Sequence, residues 1–169
     1  MLKISATFVC SAFIAYCAAP ALAQSLTGDM ATTQYLVGTW DCSVTEMQMT
    51  GGTRQENATL TFAIVPGNAL SQMINSPTFS SVGFIGFNTQ TSQFFSNTVN
   101  SMGGISTQTA TRPGSPVRIV FTGTATQGGQ SAPTRDTNDK ISDTRIHGIT
   151  EINVGGRWTK VADASCTKH

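Results

Sequence analysis

The chain is short of charge, of histidine and, once its leader is set aside, of cysteine. Only 11% of its 169 residues are charged, against roughly 25% in an ordinary soluble domain. Ten basic side chains face nine acidic ones for a net charge of +1, with no basic cluster. Binding to nucleic acid needs a patch of cations to neutralise phosphates, so that class of partner is excluded. One long apolar run exists, from Ile4 to Ala19 behind Lys3, and Ala21-Leu22-Ala23 closes it with small residues. This marks residues 1–23 as a secretory signal peptide with Gln24 as the first mature residue. No other run approaches the ~20 apolar residues of a membrane helix, so no membrane span is expected.

The scarcity extends to reactive groups. There is no His-x-His, Cys-x-x-Cys or His-Glu-x-x-His spacing, which argues against a metal site. Asp136, Asp139 and Asp143 crowd one stretch but lack the glycine and terminal glutamate of a calcium loop, so 136–143 reads as a polar turn. The pairs Gly51-Gly52 and Gly128-Gly129 precede no helical pattern and cradle no phosphate. No nucleophile elbow is present. The sequence therefore assigns no catalytic residue, no metal and no cofactor. An enzyme would have to use His147, Glu151 or Asp41, and the first two share strand parity on what reads as an outer face.

Without its 23-residue leader the chain keeps 146 of its 169 residues, enough for one domain. Ser and Thr supply 39 of them, a composition suited to strands with a neutral, hydroxyl-rich outer face. Cys10 and Cys17 fall in the leader. The bulky Tyr16 before Cys17 is wrong for a lipoprotein signal. Cys42 and Cys166 remain, near the two ends of an exported domain, and a single disulfide between them is expected over two free thiols.

Hydrophobic periodicity is two, not 3.6. Trp40, Cys42 and Val44 alternate with polar residues; so do Ala58, Leu60, Phe62 and Ile64; from Val117 to Ala125, Ile119 and Phe121 share one face. Turn chemistry separates these runs at Gly51-Gly52, Pro66-Gly67-Asn68, Asn75-Ser76-Pro77, Asn88-Thr89-Gln90, Gly103-Gly104, Pro113 to Pro116, Gly128-Gly129 and Gly155-Gly156. The prolines fall in the turns. Eight turns predict an all-β, antiparallel up-and-down β-barrel of about eight or nine strands. A disulfide between its first and last strands requires those strands to be neighbours, which favours closure. Residues 24–34 form a polar segment, with room for a helical turn capped by Thr27 or Asp29, and 35–169 form the barrel.

At Gly38-Thr39-Trp40 the chain resembles the calycin superfamily of lipocalin-like barrels. The elements Gly83 to Asn88, Ser101-Met102-Gly103-Gly104 and Gly155-Gly156-Arg157-Trp158 are similar to a family of uncharacterised bacterial secreted proteins of that kind. Phe87 and Asn88 stand where that family carries Tyr and Asp. The resemblance implies a lipocalin-like fold with a tryptophan plugging one end, and carries no activity with it. An eight-stranded barrel either fills its interior or holds one small ligand. Phe62, Phe84, Phe87, Phe95 and Phe121 are the candidate cavity-lining residues, and Trp40 with Trp158 the candidate structural plug. The expected function is to bind a small apolar ligand in the periplasm. The alternative partner is a protein, as for a protease inhibitor, contacted through Gln24 to Gln34 or through loops.

Overall fold

In the computed structural model, residues 24–47, 51–111 and 117–169 are described. A nine-residue 3₁₀ helix, Gly28–Leu36, leads into ten strands: β1 (Gly38–Met47), β2 (Thr53–Val65), β3 (Ala69–Asn75), β4 (Ser80–Asn88), β5 (Gln93–Asn100), β6 (Ile105–Thr111), β7 (Arg118–Gln127), β8 (Gln130–Ser142), β9 (Arg145–Val154) and β10 (Arg157–Lys168). Each pairs antiparallel with the next, and β1 pairs with β10 to close the barrel. Cys42 and Cys166 stand opposite each other on those two strands and are joined by a disulfide. The bond closes a loop of 124 residues, for which lost chain entropy corresponds to roughly 4–5 kcal/mol.

The strand count corrects the expected eight or nine. The extra strand comes from 130–142, where a polar turn was expected over 136–143. The stretch Asp136 to Lys140 lies within β8, and the reversal falls at Asp143-Thr144, which has neither glycine nor proline. Thr134, Asp136 and Asn138 face inward opposite Gly123, Phe121 and Ile119. A strand whose inner face is polar has no apolar alternation to betray it. Pro133 also departs from expectation, since it lies inside β8. It pairs only towards β7, because the β8–β9 ladder begins at Thr134; its missing N–H therefore breaks no bond to β9.

Odd and even connections sort to opposite ends of an up-and-down barrel. The turns after β2, β4 and β8 lie at the end that also carries the 3₁₀ helix, and the helix plugs that end. Leu26, Met30 and Leu36 are buried against Trp40, Phe62, Leu70, Ile85, Phe94, Ile119, Phe121 and Ile146. Trp40 is fully buried, and its indole N–H donates to the Leu36 carbonyl at 2.7 Å. The Lys168 ammonium lies 5.1 Å from the Trp40 ring centre and donates to the Tyr35 carbonyl at 2.8 Å. Gly38 makes this crossing possible: its φ is 129°, and a Cβ there would stand 2.9 Å from Lys168 Cε. Thr27 exchanges two hydrogen bonds with the Asn68 side chain in the β2–β3 turn, at 2.9 and 3.1 Å. Residues 24–34 are thus part of the barrel's closed end.

Candidate ligand-binding lumen

Above this apolar floor the inward-facing residues change character. The register places Gln72, Ser81, Gly83, Ser96, Thr98, Ser106, Gln108, Gly123, Ala125, Ala132, Thr134, Asp136, Gly148 and Thr150 on the inner face of β3 to β9. They are small or polar, and most are only half-buried although they point into the barrel. Barrel diameter grows with strand number, so ten strands with short, half-buried inward side chains leave this part of the interior less filled than the floor.

The lumen's most specific feature is a carboxylate. Gln108 on β6 donates from Nε2 to Asp136 Oδ2 on β8 at 2.6 Å. Gly123 lies between them on β7; having no side chain, it lets them meet across the strand. Thr150, opposite Asp136 on β9, adds its hydroxyl to the same carboxylate. Asp136 Oδ1 and Ser106 Oγ are buried and make no hydrogen bond among the described residues. Burial against Phe121 and its neighbours pushes the Asp136 carboxyl up from its ordinary value, while the hydrogen bonds from Thr150 and Gln108 pull it down by less.

A second polar group rings the mouth on the β1–β2 side. Glu46, Arg54 and Glu56 continue the inward parity of Trp40 and Ala58. Arg54 pairs with Glu46 at 2.5 Å and donates to Thr78 Oγ1 at 2.7 Å. Glu56, with 8% of its side chain exposed, accepts from Ser76 and Thr78, both at 2.7 Å. These hydroxyls, ahead of the Arg54 charge, hold Glu56 below the usual carboxylate range. They also fasten the β3–β4 turn to the mouth.

The candidates from sequence divide between the two faces. Phe62 and Phe121 are buried in the floor, and Phe87 packs against it, edge to face with Phe94 at 5.0 Å. Phe94, fully buried, belongs to this group although it was not among the candidates; alternation alone could not choose between it and Phe95. Phe84 and Phe95 face outward: Phe84 is 51% exposed, opposite Ser71 and Asn97, and the Phe95 ring covers the outer side of Gly86. Trp40 plugs the closed end, but Trp158 does not join it. Ten residues separate Trp158 from Lys168, the ladder partner of Trp40, or roughly 33 Å along a strand. Trp158 lies on the outer surface, 40% exposed, with the Arg135 guanidinium 4.6 Å from its ring centre. The bulge between Lys160 and Ala162 shifts the register of β10 on β9 there.

His147, Glu151 and Asp41 stand in separate ion pairs on the outside. His147 contacts Asp163 at 2.8 Å, Glu151 accepts from Arg135 at 2.7 Å, and Asp41 contacts His169 at 2.8 Å. Asp41 also lines a shallow outer groove of about 620 Å³ with Ser43, Asn57, Thr59, Ser165 and Thr167. Among the described residues no three His, Cys, Asp or Glu side chains converge as a metal site, and no helix is long and apolar enough to cross a membrane.

The architecture defines a class, the closed antiparallel up-and-down β-barrels. Among solved structures, the crystal structure of Rv2717c from M. tuberculosis shares it, with a TM-score of 0.68 and 12% sequence identity over 86% of this chain and 99% of that one. The likeness is one of fold. No family model and no curated protein sequence matches the chain.

Proposed function

We propose that this chain is a secreted, periplasmic barrel of the lipocalin-like kind that binds a small molecule in the lumen above its apolar floor. The observation that carries the reading is the contrast between the two halves of the interior. One half is packed with Trp40, Leu70 and Phe94; the other is lined by small and polar side chains that leave room. The ligand rests its apolar part on Phe62 and Phe121 and turns its polar part to the wall of Gln108, Asp136 and Thr150. This amends the purely apolar ligand expected from the aromatic residues. Native mass spectrometry of the protein purified from its host is the test: a bound small molecule, lost when Ala125→Trp fills the lumen, supports the reading. A protein that leaves its host without any bound molecule, and takes none up from a metabolite extract, overturns it.

A second reading, a protein-binding module, is favoured by one observation. Met73, Val82, Val99 and Ile105 stand in register across β3 to β6, all facing outward and 46–56% exposed, with Phe84 beside them. Surfaces of this kind mark interaction sites. The segment 24–34 buries Leu26, Met30 and Thr33 in the closed end and leaves Gln24, Ser25, Thr27, Gly28 and Ala31 exposed for such a contact. If Val82→Lys and Val99→Lys leave every partner retained by the native protein in place, this reading fails.

A further inference from the structure

Among the described residues, one inward-facing carboxylate, Asp136, has no ion-pair partner. Among the described residues the lumen's inward-facing titratable groups above the floor are Asp136 in the wall and Glu46, Arg54, Glu56 and Arg157 at the mouth. Arg54 is already held by Glu46 and Thr78. At the closed end Lys140 pairs with Asp143 and lies over the Tyr35 ring, and Lys168 is held by the Tyr35 carbonyl and the Trp40 ring. Of these cations Arg54, Lys140 and Lys168 are held elsewhere, and Arg157 stands at the exposed rim opposite Val154, four residues along β9 from Thr150. The neighbours of Asp136 are the amide of Gln108, the hydroxyl of Thr150 and the ring of Phe121, all neutral.

The orientation of the carboxylate is equally specific. Gln108 and Thr150 are hydrogen-bond donors, so they fix Asp136 as an acceptor and hold its plane. They leave Oδ1 buried and unpaired. A buried oxygen without a donor is destabilising, more so when charged, and such a group in a native fold calls for a partner that the chain itself does not supply, whether ordered water, an ion or a ligand. Ser106 Oγ, two residues along β6 from Gln108 towards the mouth, is likewise buried and unpaired. Two unsatisfied oxygens therefore lie on one wall, the deeper one a carboxylate.

We infer that Asp136 anchors the ligand and that the ligand presents a protonated amine to its free Oδ1, with a second donor reaching Ser106. This rests on the lumen-binding reading above and names the chemistry of the ligand that reading leaves open. A charge-assisted bond of this kind is stronger than a neutral one and gives Asp136 an ion-pair partner.

Three probes of matched shape separate the possibilities: 2-phenylethylamine, 2-phenylethanol and phenylacetate, each titrated at millimolar concentration into the mature protein at neutral pH. Amide NMR shifts of Gln108, Thr150 and Ser106 report binding in the lumen. The expected order is amine, then alcohol, then carboxylate, with the amine at least about ten-fold tighter than the alcohol. Asp136→Asn reduces that preference to less than about three-fold. The ranking on the native protein tests the inference even if the variant fails to fold. Equal binding of amine and alcohol, or carboxylate binding tightest, overturns the amine assignment and leaves lumen binding standing. No probe shifting any lumen signal overturns both.

Discussion

Gln108 and Asp136 meet at 2.6 Å although a whole strand, β7, lies between the strands that carry them. They do so at the height of Gly123, which pairs with Gln108 on one side and with Thr134 on the other. A Cβ at position 123 would overlap the Thr107 carbonyl oxygen and stand 2.7 Å from Gln108 Cα. The close approach of backbones here is backbone against backbone, which cannot be relieved by turning a side chain.

Gly123→Ala therefore pushes β6 away from β7 and parts Gln108 from Asp136. The expected loss is about 1–3 kcal/mol, the range of overpacking in a tight interior. Urea unfolding of the oxidised protein measures it. A variant as stable as the native protein would show that the two strands separate at no cost.

The Asp136 carboxyl is pushed above its ordinary value in the folded state, chiefly by burial. Such a group binds protons more tightly folded than unfolded, so its contribution to stability is fully present below the unfolded pKa and is lost as pH rises through the folded one. Asp136→Asn does not titrate there. Its melting temperature relative to the native protein should rise as pH goes from about 4, the unfolded carboxylate value, towards 7. Glu56, Asp139, Glu151 and Asp163, all held below the usual range, have the opposite dependence but are common to both proteins and cancel in the difference. A pH-independent difference would contradict the assignment.

The two tryptophans should behave as opposites. Trp40→Ala removes the plug and its bond to Leu36, at a cost of about 3–5 kcal/mol. Trp158→Ala removes an outer-face contact with Arg135, worth about 0.5–1 kcal/mol. Acrylamide should quench the fluorescence of Trp158 in Trp40→Phe and leave Trp40 shielded in Trp158→Phe. Equal quenching of both would contradict the placement.

Where one face of a strand is apolar, its register was legible in the sequence. Trp40, Cys42, Ala58, Phe62, Ile119 and Phe121 all point inward as their alternation predicts. The parity of His147 and Glu151, outward, was legible for the same reason. Phe94-Phe95 was not, because two adjacent rings offer both faces an aromatic residue and only pairing with Phe87 and Gly86 decides between them. Trp158 was misread as a plug because nearness in the strand order says nothing about height along the barrel.

The cost of hiding apolar surface and the turn chemistry of glycine and proline act locally, so the sequence by itself determined an all-β meander, its inward apolar positions and the Cys42–Cys166 pairing. Closure at ten strands, the lumen and its carboxylate were decided only by tertiary structure. A strand facing a polar lumen carries no apolar pattern, and Gln108 and Asp136, 28 residues apart, become neighbours only when β6, β7 and β8 lie side by side.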